Sequence, residues 1–160
     1  MQKIENISTN NSYLKKDNII SFLKNKNKSL PTKYLYDDLG SKLFEEICDT
    51  EEYYLTRTEK EILDKYSKDI ILKSAAIEFF ELGGGASKKT KVLLKEALKN
   101  NTSLTYSSLY ISDKALKMSF DELKNISKNL KIKLYNGDFI NDLNNLKLSN
   151  SPRLYLFLGS

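Results

Sequence analysis

The pattern of apolar and polar positions predicts strands that alternate with helices from residue 75 onward. Four runs have the length and apolar content of strands: 75–80, 104–112, 131–135 and 153–158. Segments with apolar residues at helical spacing lie between them, one beginning near 90 and one near Asp113, which is suited to be an N-cap or a first-turn acid. This alternation predicts an α/β fold with a doubly wound, largely parallel sheet.

A glycine-rich turn, Glu81-Leu-Gly-Gly-Gly-Ala-Ser-Lys-Lys-Thr90, joins the first predicted strand to the first predicted helix. Nucleotide-like ligands bind at such turns in doubly wound folds. A phosphate-binding loop needs glycine where Lys88 stands, and the dinucleotide fingerprint needs a third glycine that is absent. An acid that ends the strand before Gly-x-Gly favours a cofactor without a diphosphate, of which S-adenosylmethionine is the common one. A glycine-rich turn without a ligand is the alternative at this point.

Composition narrows the possible functions. The chain has 160 residues, 40% of them hydrophobic, which predicts a domain with a core. Its formal net charge of +5 comes from 24 lysines and two arginines mixed with 21 acids, and this favours a solvated lysine surface over a nucleic-acid-binding face. The absence of histidine excludes a histidine-based metal site or base within this chain, and we predict no metal site.

The expected location is the cytoplasm. Cys48 is the single cysteine, which excludes a disulfide framework within the chain and fits a reducing compartment. The first residues resemble no signal peptide, and no apolar run approaches membrane-spanning length.

Residues 1–74 are predicted to form a helical amino-terminal segment that contributes to a substrate pocket. Helical patterns occur at 18–23 and 42–47, and Thr58 with Glu61 has the spacing of a capping box. Four tyrosines lie beside acids in two loops: Tyr34, Tyr36, Tyr53 and Tyr54. They could be core residues, but their hydroxyl groups and ring faces also suit a pocket for a cationic or zwitterionic ligand.

The last predicted strand ends close to the end of the sequence. Leu154, Leu156 and Leu158 would then lie at an open sheet edge, which native folds avoid. We therefore expect residues 75–160 to be the first half of a cofactor-binding domain in a longer protein.

Five motifs in this order resemble the histidine N-alpha-methyltransferase family. They are the segments 30–47, 52–59, 81–90, 137–139 and 156–160, which include Glu-Tyr-Tyr-Leu-Thr-Arg-Thr-Glu, the glycine-rich turn and Gly-Asp-Phe. Enzymes of that family use S-adenosylmethionine to trimethylate the amino group of histidine in ergothioneine biosynthesis. The resemblance implies a Rossmann-like class I methyltransferase fold, with a small amino acid or amine as substrate.

The resemblance also implies roles for residues that match the family's motifs. Gly83, Gly85 and Lys89 match the cofactor turn, in which Lys89 would reach the methionine carboxylate as a point charge. Asp138 and Phe139 match the pair that surrounds the adenine, the acid accepting from the exocyclic amine and the ring stacking.

Three aromatic residues match the family's pocket for the substrate amino acid: Tyr53, Tyr36 and Phe44. In the family the ligands of the amino group lie largely beyond the matched region, so the resemblance assigns no catalytic residue to this chain.

The chain departs from the family at two positions. Tyr110 stands where the family usually has an aspartate that holds the ribose hydroxyls, so either Tyr110 or Asp113 would make that contact. Gly84 replaces the family's usual serine, an exchange that we expect to be tolerated.

Three functions are therefore open. The first is an S-adenosylmethionine-dependent N-methyltransferase acting on the amino group of histidine or a related amino acid. The second is a degenerate, non-catalytic cofactor-binding or scaffold protein, and the third is a nucleic-acid methyltransferase.

Overall fold

Five parallel strands form one sheet in the computed structural model, which describes residues 4–8, 16–35 and 38–158. The strands are β1 (Ile4–Asn6), β2 (Glu78–Leu82), β3 (Leu104–Tyr110), β4 (Leu130–Asn136) and β5 (Arg153–Leu156). Their order in space is β1-β4-β3-β2-β5, and every neighbouring pair is parallel. The chain passes from β2 through β3 to β4 in one direction and then returns to the other side of β2. The predicted doubly wound α/β sheet is confirmed.

The helices of the described ranges all follow β1 and lie between successive strands along the chain. They are α1 (Lys16–Lys24), α2 (Asp38–Cys48), α3 (Leu55–Ser74), α4 (Thr90–Leu98), α5 (Asp113–Leu123) and α6 (Phe139–Asp142). Short 3-10 turns span Thr32–Leu35 and Leu143–Asn145. Helix α3 packs against α4, α5 packs on β3 and β4, and α2 contacts α5. None of the helices in the described ranges is long and apolar enough to cross a membrane.

One hydrophobic core joins the strands to the helices that cover them. Its buried members include Leu63, Ile71, Phe79, Leu93, Leu94, Leu104, Tyr106, Leu116, Leu123, Ile132 and Leu134. Burying each of the leucines contributes about 1.5–3 kcal/mol relative to leaving it exposed. The central strands are rich in buried positions, as expected where helices cover a parallel sheet.

Strand β1 was not predicted from the sequence. It pairs with β4 from Ile4 opposite Leu134 to Asn6 opposite Asn136, and the N–H of Ile7 then donates to the carbonyl of Asn136 at 3.0 Å. A strand of this length, in which Ile4 is half-buried and the next two residues are exposed, shows no periodicity that a sequence pattern could reveal.

Strand β5 lies at the opposite edge of the sheet, as the sequence predicted. Its leucines are better covered than expected, because Leu156 is buried and Leu154 and Leu158 pack against the core. Tyr155 of β5 and Phe157 just after it are exposed.

The predicted capping box at Thr58 is wrong. Helix α3 already begins at Leu55, and the N–H of Thr58 donates to the carbonyl of Tyr54 at 3.0 Å inside the helix. Tyr54 occupies the N-cap position without a side-chain cap. The capping-box spacing was therefore a coincidence of sequence.

Helix α5 is capped by Ser112 rather than by Asp113. The Ser112 hydroxyl accepts from the N–H of Ala115 at 3.2 Å, in an extended backbone conformation typical of an N-cap. Asp113 is an exposed first-turn acid, and its carboxylate lies 2.6 Å from the ammonium of Lys117.

We expect Ser112→Ala to lower the free energy of unfolding by about 0.5–2 kcal/mol, because the first turn of α5 loses its side-chain acceptor. Lys117→Ala is the matched control on the same helix, since it removes a surface ion pair with Asp113, an interaction worth about 0.2–0.5 kcal/mol. Chemical denaturation followed by circular dichroism measures both. A smaller loss for Ser112→Ala than for Lys117→Ala would show that the cap lies elsewhere.

Candidate cofactor site

The parallel register brings three segments that are distant in sequence to one edge of the sheet. The N–H of Gly83, just after β2, donates to the carbonyl of Leu109 at 3.2 Å. The N–H of Gly137, just after β4, donates to the carbonyl of Tyr110 at 3.1 Å. The glycine-rich turn, the end of β3 and the segment carrying Asp138 therefore lie side by side. In doubly wound sheets this carboxyl edge, where the strand order reverses, is where ligands bind.

The glycine-rich turn needs glycine for its backbone conformation. Gly83 has φ +69° and Gly85 has φ +50°, in the left-handed region that a residue with a β-carbon rarely adopts. A β-carbon on Gly85 would meet nothing within 4 Å, and one on Gly83 would lie 3.9 Å from the Tyr110 ring. The dihedral angle, not the available space, therefore requires glycine at both positions.

Gly84 is glycine for a different reason. A β-carbon at this position would overlap the carboxyl group of Glu81, whose Cγ would be only 2.8 Å away. Glycine in place of the family's usual serine therefore suits this turn, since a serine would require Glu81 to move.

Glu81 is the centre of a buried hydrogen-bonded group beneath the turn. Its side chain is 2% exposed, and one carboxyl oxygen accepts from the Thr90 hydroxyl. The other accepts from the hydroxyls of Tyr106 at 2.5 Å and Ser87 at 3.1 Å. Ser87 also lies 2.6 Å from the Tyr106 hydroxyl and 2.8 Å from the hydroxyl of Ser119. Strands β2 and β3 and helices α4 and α5 all contribute to this group.

Burial controls the protonation of this group. It raises the pKa of Glu81 above its ordinary value of 4.5, although hydrogen bonds from Thr90, Tyr106 and Ser87 act in the opposite direction. Burial and the neighbouring Glu81 hold the pKa of Tyr106 well above its ordinary value. The phenol therefore keeps its proton and remains a donor.

Lys89, the predicted partner of the cofactor's carboxylate, forms an ion pair with Glu59 of α3. The adjacent Lys88 pairs with Glu45 of α2, and this hydrogen bond raises the pKa of Lys88. Two neighbouring lysines thus attach the turn to two different amino-terminal helices. A ligand carboxylate at Lys89 would share the ammonium with Glu59 or displace it.

Two of the three predicted substrate aromatics lie together beside the turn. The rings of Phe44 and Tyr53 make an edge contact, with centroids 6.0 Å apart and planes at 79°. Phe44 also lines a small cleft of about 30 Å³ with Gly85 and Tyr110. The third, Tyr36, lies outside the described residues. The predicted substrate wall therefore borders the predicted cofactor turn.

Asp138 has a clear structural task at the carboxyl end of β4. It caps α6, with Oδ1 accepting from the N–H of Ile140 at 2.9 Å and Oδ2 from the side-chain amide of Asn141 at 3.0 Å. The ring of Phe139 contacts that of Phe157 edge-on, with centroids 5.8 Å apart. Both residues lie at the expected edge, and their contact with an adenine stays a prediction.

The sequence interpretation singled out Glu81, the acid near the end of β2, but assigned no role to the other members of the buried group. Ser119 offered a signal, because it is a small polar residue on the buried stripe of α5, formed with Ala115, Leu116 and Leu123. Tyr106 offered no such signal, because tyrosines in strands are commonly core residues. Glu59 offered none either, because its partner is thirty residues away in sequence.

A doubly wound parallel sheet with a Gly-x-Gly turn at the point where strand order reverses defines the Rossmann-like class of cofactor-binding domains. Residues 15–160 match the family described as histidine-specific, S-adenosylmethionine-dependent methyltransferases. The chain belongs to this family.

Individual relatives agree with this assignment. The chain is 35% identical over 143 residues to the histidine N-alpha-methyltransferase of Mycobacterium tuberculosis, covering 89% of this chain and 44% of that protein. It is 51% identical over 67 residues to the protein of the same name from Mycolicibacterium smegmatis, covering 42% of this chain and 21% of the relative. Ergothioneine biosynthesis protein 1 of Schizosaccharomyces pombe is 33% identical over 128 residues, which are 78% of this chain and 16% of that protein. The chain thus spans less than half the length of these relatives.

We expect the stability of the protein to fall as the pH rises through the folded-state pKa of Glu81. Because this pKa lies above the ordinary value of 4.5, the folded state binds the proton more tightly than the unfolded state. The resulting stabilisation is complete below pH 4.5 and is lost as the pH rises through the folded-state pKa.

Glu81→Gln should remove this dependence and make the protein more stable than wild type on the alkaline side, because an amide fills the same space without a charge. Denaturant titrations across the pH range measure the effect, with the exposed Glu61→Gln as the control. An unchanged pH slope in Glu81→Gln would contradict the assignment of the buried proton.

Proposed function

We propose that the protein is an S-adenosylmethionine-dependent N-methyltransferase that acts on the amino group of histidine or a related amino acid. The observation that carries the proposal is the convergence of the Gly83–Lys89 turn, Tyr110 and Asp138-Phe139 on one sheet edge, in a chain of this family. Two mycobacterial relatives bear the name histidine N-alpha-methyltransferase, which supports histidine as the first substrate to test.

The residues at this edge fit the cofactor in most respects. Space lies open beside Gly85, where a β-carbon would have no neighbour within 4 Å. Lys89 would face the methionine carboxylate, and its ammonium already pairs with a carboxylate of this chain. Asp138 and Phe139 would hold the adenine from the neighbouring strand end.

The proposed reaction transfers a methyl group to a neutral amine nitrogen. S-adenosylmethionine supplies the electrophilic methyl group on its sulfonium. The chain contributes mainly by positioning, which can supply a large part of the rate in a reaction between two bound partners. Phe44 and Tyr53 would present an aromatic wall to a zwitterionic amino acid, since ring faces attract ammonium groups.

Calorimetry should show that the full-length protein binds S-adenosylmethionine and that Gly83→Val weakens binding by at least about tenfold. A β-branched residue is strained at φ +69°, at a cost of about 1–3 kcal/mol, and tenfold corresponds to about 1.4 kcal/mol. Thr102→Val is the control, because Thr102 is exposed and precedes β3 at the opposite edge. Equal affinity for Gly83→Val and wild type would remove the turn from the binding site.

The same protein should transfer methyl groups from S-adenosylmethionine to histidine, as measured by mass spectrometry of the products. Gly83→Val should raise the cofactor KM. Cofactor binding without transfer to histidine or any other amino acid would favour the non-catalytic alternative, and transfer to RNA or DNA would favour the nucleic-acid alternative.

Tyr110 is the position where the chain departs from the family's ribose contact. Its ring lies against Gly83, whereas Asp113 is exposed and paired with Lys117, and this favours Tyr110 as the residue that would face the ribose. If Tyr110 faces the ribose, it offers one hydroxyl in place of a carboxylate. The tyrosine at position 110 is the specific observation that favours the non-catalytic alternative, because it would bind the ribose more weakly than a carboxylate.

We expect Tyr110→Asp to tighten binding of S-adenosylmethionine, because the two ribose hydroxyls gain a charged acceptor. Such bonds are worth about 1.5–3 kcal/mol each, and desolvation of the new charge offsets part of the gain. Tyr110→Phe is the control, since it keeps the ring but offers no oxygen. Unchanged affinity in both variants would show that residue 110 does not touch the ribose.

A further inference from the structure

Ser87 has an unusual backbone conformation for its residue type. Its φ is +55°, and Ala75 is the one other non-glycine residue with positive φ in the described ranges. Ala75 follows the last turn of α3, where left-handed residues commonly end helices. Ser87 instead lies inside the glycine-rich turn, so its conformation must be held by its surroundings.

The hydrogen bonds of the Ser87 hydroxyl stabilise this backbone conformation. The hydroxyl has three hydrogen-bonding partners in the buried group: Glu81 on β2, Tyr106 on β3 and Ser119 on α5, at 3.1, 2.6 and 2.8 Å. Each partner belongs to a different element of the core, and Ser87 itself is only 2% exposed. The side chain is therefore fixed from three directions.

Because Ser87 is fixed in this way, the position of Lys89, two residues further along the turn, is also constrained. The N–H of Ser87 donates to the carbonyl of Gly84 at 2.8 Å, and its carbonyl accepts from the N–H of Lys91 at 3.1 Å, so Ser87 links the turn to the start of α4. Thr90 bonds to the same Glu81 carboxyl. Lys89 thus lies between two residues that are anchored to one buried group.

We propose that Ser87, anchored by Glu81, Tyr106 and Ser119, is the positioning residue of the cofactor turn. It sets the direction in which the turn enters α4 and thereby aims Lys89 at the carboxylate of the bound cofactor. Ser87 touches no reacting atom and acts through the backbone of the turn. The inference rests on the proposed function for the identity of the ligand, but the effect on the turn is independent of any ligand.

Two substitutions distinguish the effect of the Ser87 hydroxyl from the effect of its positive φ angle. Ser87→Gly permits the positive φ but removes the anchor, and Ser87→Ala removes the anchor while keeping a β-carbon. We expect both to weaken S-adenosylmethionine binding at least tenfold and to raise its KM more than they lower kcat at saturating cofactor.

Ser67→Ala is the matched control, because Ser67 is a buried serine on α3 outside this group. Amide hydrogen exchange of the full-length protein without cofactor gives the second measurement. Exchange should accelerate in residues 83–91 of Ser87→Gly, remain unchanged in β4, and remain unchanged throughout Ser67→Ala.

The two measurements keep this inference separate from the proposed function. A wild-type protein that does not bind S-adenosylmethionine would refute the proposed function, while hydrogen exchange would still decide whether Ser87 holds the turn. Wild-type exchange in residues 83–91 of Ser87→Gly, or wild-type cofactor affinity in that variant, would overturn the positioning role.

Discussion

The parallel register of β2, β3 and β4 determines where every candidate residue of the cofactor site lies. Because the strands run in one direction, each ends at the same edge, and the backbone bonds of Gly83 to Leu109 and of Gly137 to Tyr110 join the three ends directly. The side chains that follow need no long loops to meet. A shift of one residue in the β2–β3 pairing would turn Tyr110 to the other face and separate it from the turn.

Glu81, the buried acid beneath the turn, stabilises the geometry of this edge of the sheet. A buried carboxyl group is costly unless its oxygens have partners, and Glu81 has hydroxyl donors on both oxygens. Hydroxyl groups are suitable partners because each can donate or accept as its neighbours require. The group therefore fixes β2, β3, α4 and α5 to the turn through direction-specific bonds, which hydrophobic contacts alone could not do.

Much of the fold was predictable from the sequence, because its strands and helices have strong periodicity and a familiar order. The glycine-rich turn was predictable from its glycines, since the positive φ of Gly83 and Gly85 is a conformation that few other residues adopt. Strand β1 was not, because its position depends on a free edge of β4 rather than on its own pattern. The pairing of Lys89 with Glu59 depends on how α3 packs against α4, which local sequence does not encode. The need for glycine at position 84, where a β-carbon would overlap Glu81, likewise appears only in three dimensions.

The two ion pairs of Lys88 and Lys89 make the attachment of the turn sensitive to ionic strength in two stages. The side chain of Lys88 is 63% exposed, whereas those of Lys89 and Glu59 are 19% and 23% exposed. Dissolved ions screen exposed charges far more effectively than enclosed ones. Salt would therefore loosen the link to α2 first and leave the link to α3 in place. The turn would then remain attached to α3 after its link to α2, the helix that carries Phe44, has weakened.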